Sequence, residues 1–198
     1  MRIIGITGGI GAGKTSVLNY IQKNYNARIV MADQVAHRLE EPGHKCYYNI
    51  VEMFGSSILN ADKTINRQRL AQIVFVDEDK RKKLNAIVHP DVKEYITKEM
   101  NAEKERGKID FFIVEAALLK EDKYDLLCDE VWYIYAKEEI RRERLKKSRG
   151  YTDEKINFIF YSQLTEDAFR DKCGVVINNN LSEYNTYMQI DEVLREEH

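Results

Sequence analysis

The sequence predicts an α/β fold, a parallel β-sheet covered by helices on both faces, with a phosphate-binding loop after its first strand. Three observations carry this. Short continuous apolar runs alternate with helix-like segments along the chain. The first run ends in a glycine-rich stretch that opens a helix. A long polar segment, too large for an ordinary crossover, separates the second run from the third. Strands read as unbroken apolar runs belong to sheets buried on both sides.

The elements follow in order. Arg2 to Thr7 is a short β-branched run that ends in glycines, the first strand. Lys14 to Tyr25 places Val17, Leu18 and Ile21 on one helical face. Ala27 to Met31, Phe111 to Glu115 and Glu130 to Tyr135 are the second, third and fourth strands, and Gly174 to Ile177 is a weaker fifth. Between the second and third strands, Gln34 to Lys108 is helical and polar and reads as an insertion carrying substrate contacts. Pro42-Gly43 marks a turn within it, and Pro90 suits the first turn of a new helix running to about Arg106. Ala136 to Ser162 is a second helical segment, rich in Arg and Lys.

Residues 8 to 15 read GGIGAGKT and fit G-x-x-x-x-G-K-[ST] at Gly8, Gly13, Lys14 and Thr15. Glycines let backbone N–H groups approach phosphate oxygens. The helix that begins near Lys14 turns the positive end of its dipole toward the same anion. Lys14 adds a point charge for the terminal phosphates, and Thr15 puts a hydroxyl where Mg²⁺ sits. Loop and context together, a strand before and a helix after, outweigh the alternative of a glycine turn that only packs helix on strand. GTPase switches and ATP-driven machines share this loop. A guanine-specific switch would carry a late N-K-x-D, which is absent, so a small-molecule kinase is favoured.

Bulk properties narrow the class further. The chain has 198 residues, 43% hydrophobic and 32% charged, with a formal net charge of -2. That length suits one domain with inserted subdomains. A near-neutral chain has no global field for nucleic acid or anionic membranes, so neither partner is expected. The N-terminal apolar run is short and broken by glycines, unlike a signal peptide, and no run approaches the ~20 residues of a membrane span. The three cysteines, Cys46, Cys128 and Cys173, show no paired spacing with one another or with the four histidines. They read as free thiols in a reducing cytoplasm.

Further side chains are candidates for chemistry. Asp33 follows the second strand, on the edge where open parallel sheets bind their ligands. It could accept a hydroxyl proton or hold Mg²⁺ water, or else simply cap the helix beginning at Gln34. Glu115, ending the third strand, could hold Mg²⁺ through water or be an exposed strand-end acid. His89 reads as a capping or core-edge histidine. Residues 137 to 150, KEEIRRERLKKSRG, hold seven Lys or Arg and three Glu. Such a run is usually a solvated face with local pairing, but arginines of a closing lid also neutralise a transferring phosphoryl group. Arg141, Arg144 and Arg149 are possible donors, with Arg170 further along.

Taken together, these residues resemble the dephospho-CoA kinase family. The likeness runs through ITGGIGAGKT at the start, Asp33, EPG at 41–43, FG at 54–55, LNAIVHP at 84–90, IVEAALL at 113–119, Gln163, Arg170 and VINN at 176–179. It implies a P-loop core with a five-stranded parallel sheet. Core segments fall at about 1–33, 108–136 and 171–198, a CoA-binding helical region at about 34–107, and a lid at about 137–170. The implied reaction transfers phosphate from ATP, with Mg²⁺, to the ribose 3′-hydroxyl of dephospho-CoA. The nucleotide loop carries over onto Gly11, Ala12, Gly13, Lys14, Thr15 and Ser16, and the acid near the reacting hydroxyl onto Asp33. The chain departs from the family pattern at Met31, Ala117, Ser148-Arg149 and Gly174. The lid arginine is thereby displaced by one place. Because Gly150 suits the end of a helix, Arg149 is expected to swing free and replace it, with Arg144 as the backup. Another small P-loop kinase and a nucleotide-binding module without turnover are the rival readings.

Overall fold

Unbroken apolar runs become strands because a parallel sheet with both faces covered tolerates no polar alternation. The computed structural model describes residues 1–117, 119 and 124–195, so Leu118, within the stretch that carries part of the family likeness, lies outside the described residues. The strands are β1 Arg2–Thr7, β2 Ala27–Met31, β3 Phe111–Glu115, β4 Glu130–Tyr135 and β5 Val175–Asn178. They form one parallel sheet in the order β2-β3-β1-β4-β5. All five residues of β3 are buried, as are Ile4 and Ile6 of β1 and Val131 to Ile134 of β4. Each such Val, Ile or Phe contributes roughly 1.5–3 kcal/mol on leaving water. The fifth strand lies one residue later than the sequence suggests and ends on Asn178.

The helices are α1 Lys14–Asn24, α2 Ala32–Leu39, α3 Lys45–Phe54, α4 Arg67–Val76, α5 Glu78–Arg106, α6 Glu138–Arg149, α7 Asp153–Tyr161, α8 Glu166–Arg170 and α9 Glu183–Arg195. By packing, the chain divides into two units, Met1–Ile29 with Arg106–His198, and Val30–Glu105. Helices α6 to α8, in the stretch expected to form a lid, fall in the first unit.

Three local expectations change. Pro90 does not open a helix but sits inside α5, a helix of 29 residues. An interior proline costs roughly 3 kcal/mol. Against that, Val88, Val92, Ile96 and Met100 form one buried stripe at four-residue intervals, three of them beyond the proline. Burying that stripe outweighs the lost hydrogen bond. His89 accordingly lies in mid-helix, half-buried, rather than at a helix start. Asp33 is likewise not a cap. Helix α2 begins at Ala32 after Met31, which leaves Asp33 exposed in the first turn, where a negative charge suits the helix dipole.

Cys46, Cys128 and Cys173 form no disulfide with one another. Burial pushes the Cys46 thiol up to about 11 and the Cys128 thiol up to about 12, and Cys128 donates to the carbonyl of Tyr124 at 3.2 Å. Both groups are therefore neutral thiols well above physiological pH. The thiolate is the reactive form, so iodoacetamide at pH 8 should leave Cys46 and Cys128 unmodified in the folded chain and alkylate both in guanidinium. Mass spectrometry of the digested protein reads this directly; rapid labelling of either in the folded state would overturn it. Among the described residues no helix is long and apolar enough to cross a membrane.

Candidate nucleotide site

The loop between β1 and α1 is built to leave N–H groups free. Helix α1 starts after Gly13 with no side-chain cap and no acid in its first turn. The N–H groups of Lys14 and Thr15 are thus left for an external anion, while those of Ser16 and Val17 turn back to the Gly13 carbonyl. Gly13 has φ 92°, and a Cβ there would lie 2.2 Å from Asn179 Nδ2, so glycine is required twice over. Lys14 folds back over the loop. Its Nζ donates to the Gly8 carbonyl at 2.8 Å and lies 3.5 Å from the Glu115 carboxylate. Glu115 is buried rather than an exposed strand end, and its charge draws the ammonium toward the loop. Thr15 and Ser16 are exposed at the start of α1.

The loop carbonyls are held by groups far away in sequence. Asn179, just past β5, is buried. Its Nδ2 donates to the Ala12 carbonyl at 2.7 Å, and its Oδ1 accepts from buried Thr186 of α9 at 2.9 Å. Arg144 of α6 donates to the Ala12 carbonyl at 3.2 Å and to the Asn179 carbonyl at 2.9 Å. A trans peptide points its C=O and N–H in opposite directions. Gripping the Ala12 carbonyl therefore turns the Gly13 N–H the other way. Gly13, Ser16, Arg144, Asn179, Leu181 and Tyr187 also line a cavity of about 170 Å³ beside the loop.

The basic run splits between its two readings. Arg142 bonds Glu138 and Asp153, and Lys146 bonds Asp153, the local pairing of a solvated face. Arg141 and Arg144, together with buried Leu145, face the loop instead.

A model of the dephospho-CoA kinase family matches residues 2–184, nearly the whole of this architecture. The chain belongs to the dephospho-CoA kinase family. A dephospho-CoA kinase of Oceanobacillus iheyensis is 36% identical over 194 residues, which is 98% of this chain and 96% of that protein. The fold is that of a solved Thermus thermophilus protein, with TM-score 0.83, 24% identity and coverage of 98% and 95%. It is also that of a solved dephospho-CoA kinase from Campylobacter jejuni, with TM-score 0.71, 23% identity and coverage of 99% and 97%.

Within this family member, Gly8 to Ser16 and Arg144 come together with Glu115. Arg149 goes elsewhere. It is the last residue of α6, its guanidinium lies over the Tyr151 ring at 5.9 Å, and Gly150 ends the helix with φ 61°. Gly150 terminates the helix as its sequence position suggests. Arg149 is nevertheless still inside the regular helix, five residues and about 140° of rotation from Arg144. Ser148 bonds back to the Arg144 carbonyl at 2.7 Å. Arg170 ends α8, paired with Glu166 at 2.8 Å and stacked on Tyr135 at 4.6 Å. Asp33 follows the carboxyl end of β2 in the Val30–Glu105 unit. Sequence reasoning gave no role to Asn179. Its signals were its place directly after an apolar strand, at the edge where loops meet ligands, and its membership of the VINN stretch that carries the family likeness.

Proposed function

We propose that the chain transfers the γ-phosphate of ATP to the ribose 3′-hydroxyl of dephospho-CoA, giving CoA and ADP. The observation that carries this is the uncapped start of α1 beneath Lys14, in a chain that belongs to this kinase family. The loop from Gly11 to Ser16 would bind the phosphate chain through its free backbone N–H groups, and Lys14 would follow the charge onto the transferring group. Asp33 would take the proton of the acceptor hydroxyl. The Val30–Glu105 unit, close to the inserted region expected at 34–107, would bind the CoA moiety, and residues 137–170 would act as the lid.

Among the described residues no group of three or more His, Cys, Asp or Glu could hold a metal. That fits Mg²⁺, which binds mainly through substrate phosphates with a hydroxyl and few protein ligands. Thr15 would supply the hydroxyl, with Glu115 near enough to Lys14 to balance the local charge. When bound, the ion neutralises charge on the phosphate oxygens. Substrates of this kind suit the cytoplasm.

Contacts with the loop set the order among the lid arginines. We expect Arg144→Ala to lower kcat at saturating ATP by about 10- to 100-fold, as loss of a charge-assisted contact does. Arg149→Ala and Arg170→Ala should lose less. Wild-type turnover by Arg144→Ala beside an inactive Arg149→Ala would restore the assignment expected from sequence.

The reaction is tested by ADP release from ATP with and without dephospho-CoA, with mass detection of CoA. Turnover only with another alcohol would point to a different small-molecule kinase. Tight ATP binding without turnover on any acceptor would make the chain a nucleotide-binding module.

A further inference from the structure

The tip of the phosphate loop is bracketed from the lid. Gln163 lies in the turn between α7 and α8, and its Oε1 accepts from the Ile10 N–H at 3.2 Å and from Arg141 Nη2 at 2.6 Å. Arg141 Nε in turn donates to the Ile10 carbonyl at 2.8 Å. Both partners of Gln163 are donors, so the side-chain oxygen, not the nitrogen, must face them. The two side chains thus grip Ile10 by its N–H and its carbonyl at once. By the geometry of a trans peptide, fixing the Ile10 carbonyl toward Arg141 turns the Gly11 N–H away from it.

Arg141 is held against the loop backbone. A Cβ on Gly9 would lie 2.3 Å from Arg141 Nη2 and 2.4 Å from its Cζ, so the guanidinium occupies the space a side chain at position 9 would need. The ring of Phe160 covers its other side at 4.3 Å from the ring centre. Its bonded partners among the described residues are a carbonyl and an amide, and none is a carboxylate. Burial disfavours its charge, moving its pKa below the ordinary arginine value. Glu138, one turn earlier on α6, favours the charge through space but is itself bonded to Arg142, and a desolvated cation with no acid hydrogen-bonded to it is costly unless an anion comes to it. Arg142, one residue on, shows the alternative: it bonds two acids.

We propose that Gln163 is a positioning residue for phosphoryl transfer: its neutral amide oxygen locks Arg141 and the Ile10 peptide together without placing a hydrogen-bonded carboxylate on the guanidinium, which leaves its charge for the phosphates of the nucleotide. The proposal rests on the kinase reading above and deepens it. A carboxylate at 163 would make both hydrogen bonds equally well but would neutralise Arg141. A methionine would keep the bulk and lose both bonds. The role therefore separates into geometry and charge, and each has its own variant.

The experiment compares the full-length chain with Gln163→Met and Gln163→Glu. Three readouts are taken: ATP affinity by calorimetry, kcat and KM for ATP with dephospho-CoA, and Tm. Gln163→Met should lower kcat by about tenfold or more through loss of loop geometry. Gln163→Glu should keep or raise Tm, since both bonds persist, yet weaken ATP binding by about tenfold or more through the lost charge. ATP affinity of Gln163→Glu within twofold of wild type would overturn the charge argument. A kcat of Gln163→Met within twofold would overturn the geometric one. Should Gln163→Met also lose Tm, Gln163→Glu decides, because it keeps the bracket. If wild type binds ATP but does not phosphorylate dephospho-CoA, the acceptor assignment fails, while the calorimetric comparison still tests the bracket.

Discussion

Lys14→Ala should abolish turnover while the chain stays folded. Lys14 Nζ sits 2.8 Å from the Gly8 carbonyl and 3.5 Å from Glu115, with a side chain only 18% exposed. It is a single mobile charge placed over the loop, able to move with the negative charge as it passes from ATP to the acceptor. Removing one such electrostatic contact commonly costs about 3–4 kcal/mol, or a factor of about 100 to 1,000 in kcat. The stability effect should be far smaller, because the helix it begins is anchored by Val17, Leu18 and Ile21, which are buried. ADP release at saturating substrates and a thermal melt measure both. Near-normal turnover in a folded Lys14→Ala protein would remove the argument from the phosphate loop altogether.

Asp33→Asn should lower kcat by about 10² to 10⁴, the usual share of a general base, with little change in ATP affinity. The amide keeps the shape of the carboxyl but cannot take the proton of the attacking hydroxyl. The local structure makes this a clean experiment. Asp33 is exposed, lies one residue into α2 and makes no cap hydrogen bond. The substitution should therefore cost only the interaction of its charge with the helix dipole, about 0.3–1 kcal/mol. A large loss of stability with kcat intact would show that the residue serves the fold and that another group takes the proton.

Much of this was legible in the chain before it folded. The limits of β1, β3 and β4 coincide with continuous apolar runs because both faces of the sheet are buried there and no polar residue interrupts them, and β2, at the sheet edge, matches its expected limits although exposed Arg28 lies within it. The phosphate loop was equally legible, since its chemistry uses backbone N–H groups and glycine, which fix the residue types at fixed spacing. The first turn of α1 and Gly150 at the end of α6 are local matters of the same kind. They depend on a few neighbouring residues, and those residues are written in order.

Where a residue's meaning depends on distant partners, the sequence was silent or pointed elsewhere. Pro90 carries a local signal for a helix start, yet the buried stripe from Val88 to Met100 runs the helix through it. In the basic run every arginine looks alike. Helical rotation aims Arg141 and Arg144 at the loop and leaves Arg149 on Tyr151. Asn179 and Gln163 belong to the family likeness, but nothing local assigns them a role, and they are separated from the loop by 167 and 153 positions at their contacts with Ala12 and Ile10. Their roles come from satisfying particular carbonyl and N–H groups, a requirement that arises only once folding has removed those groups from water. The sequence by itself thus determined the sheet, the phosphate loop and the family. Tertiary packing alone decided which side chains hold that loop in shape, because hydrogen-bond partners are chosen by proximity in space and not by order along the chain.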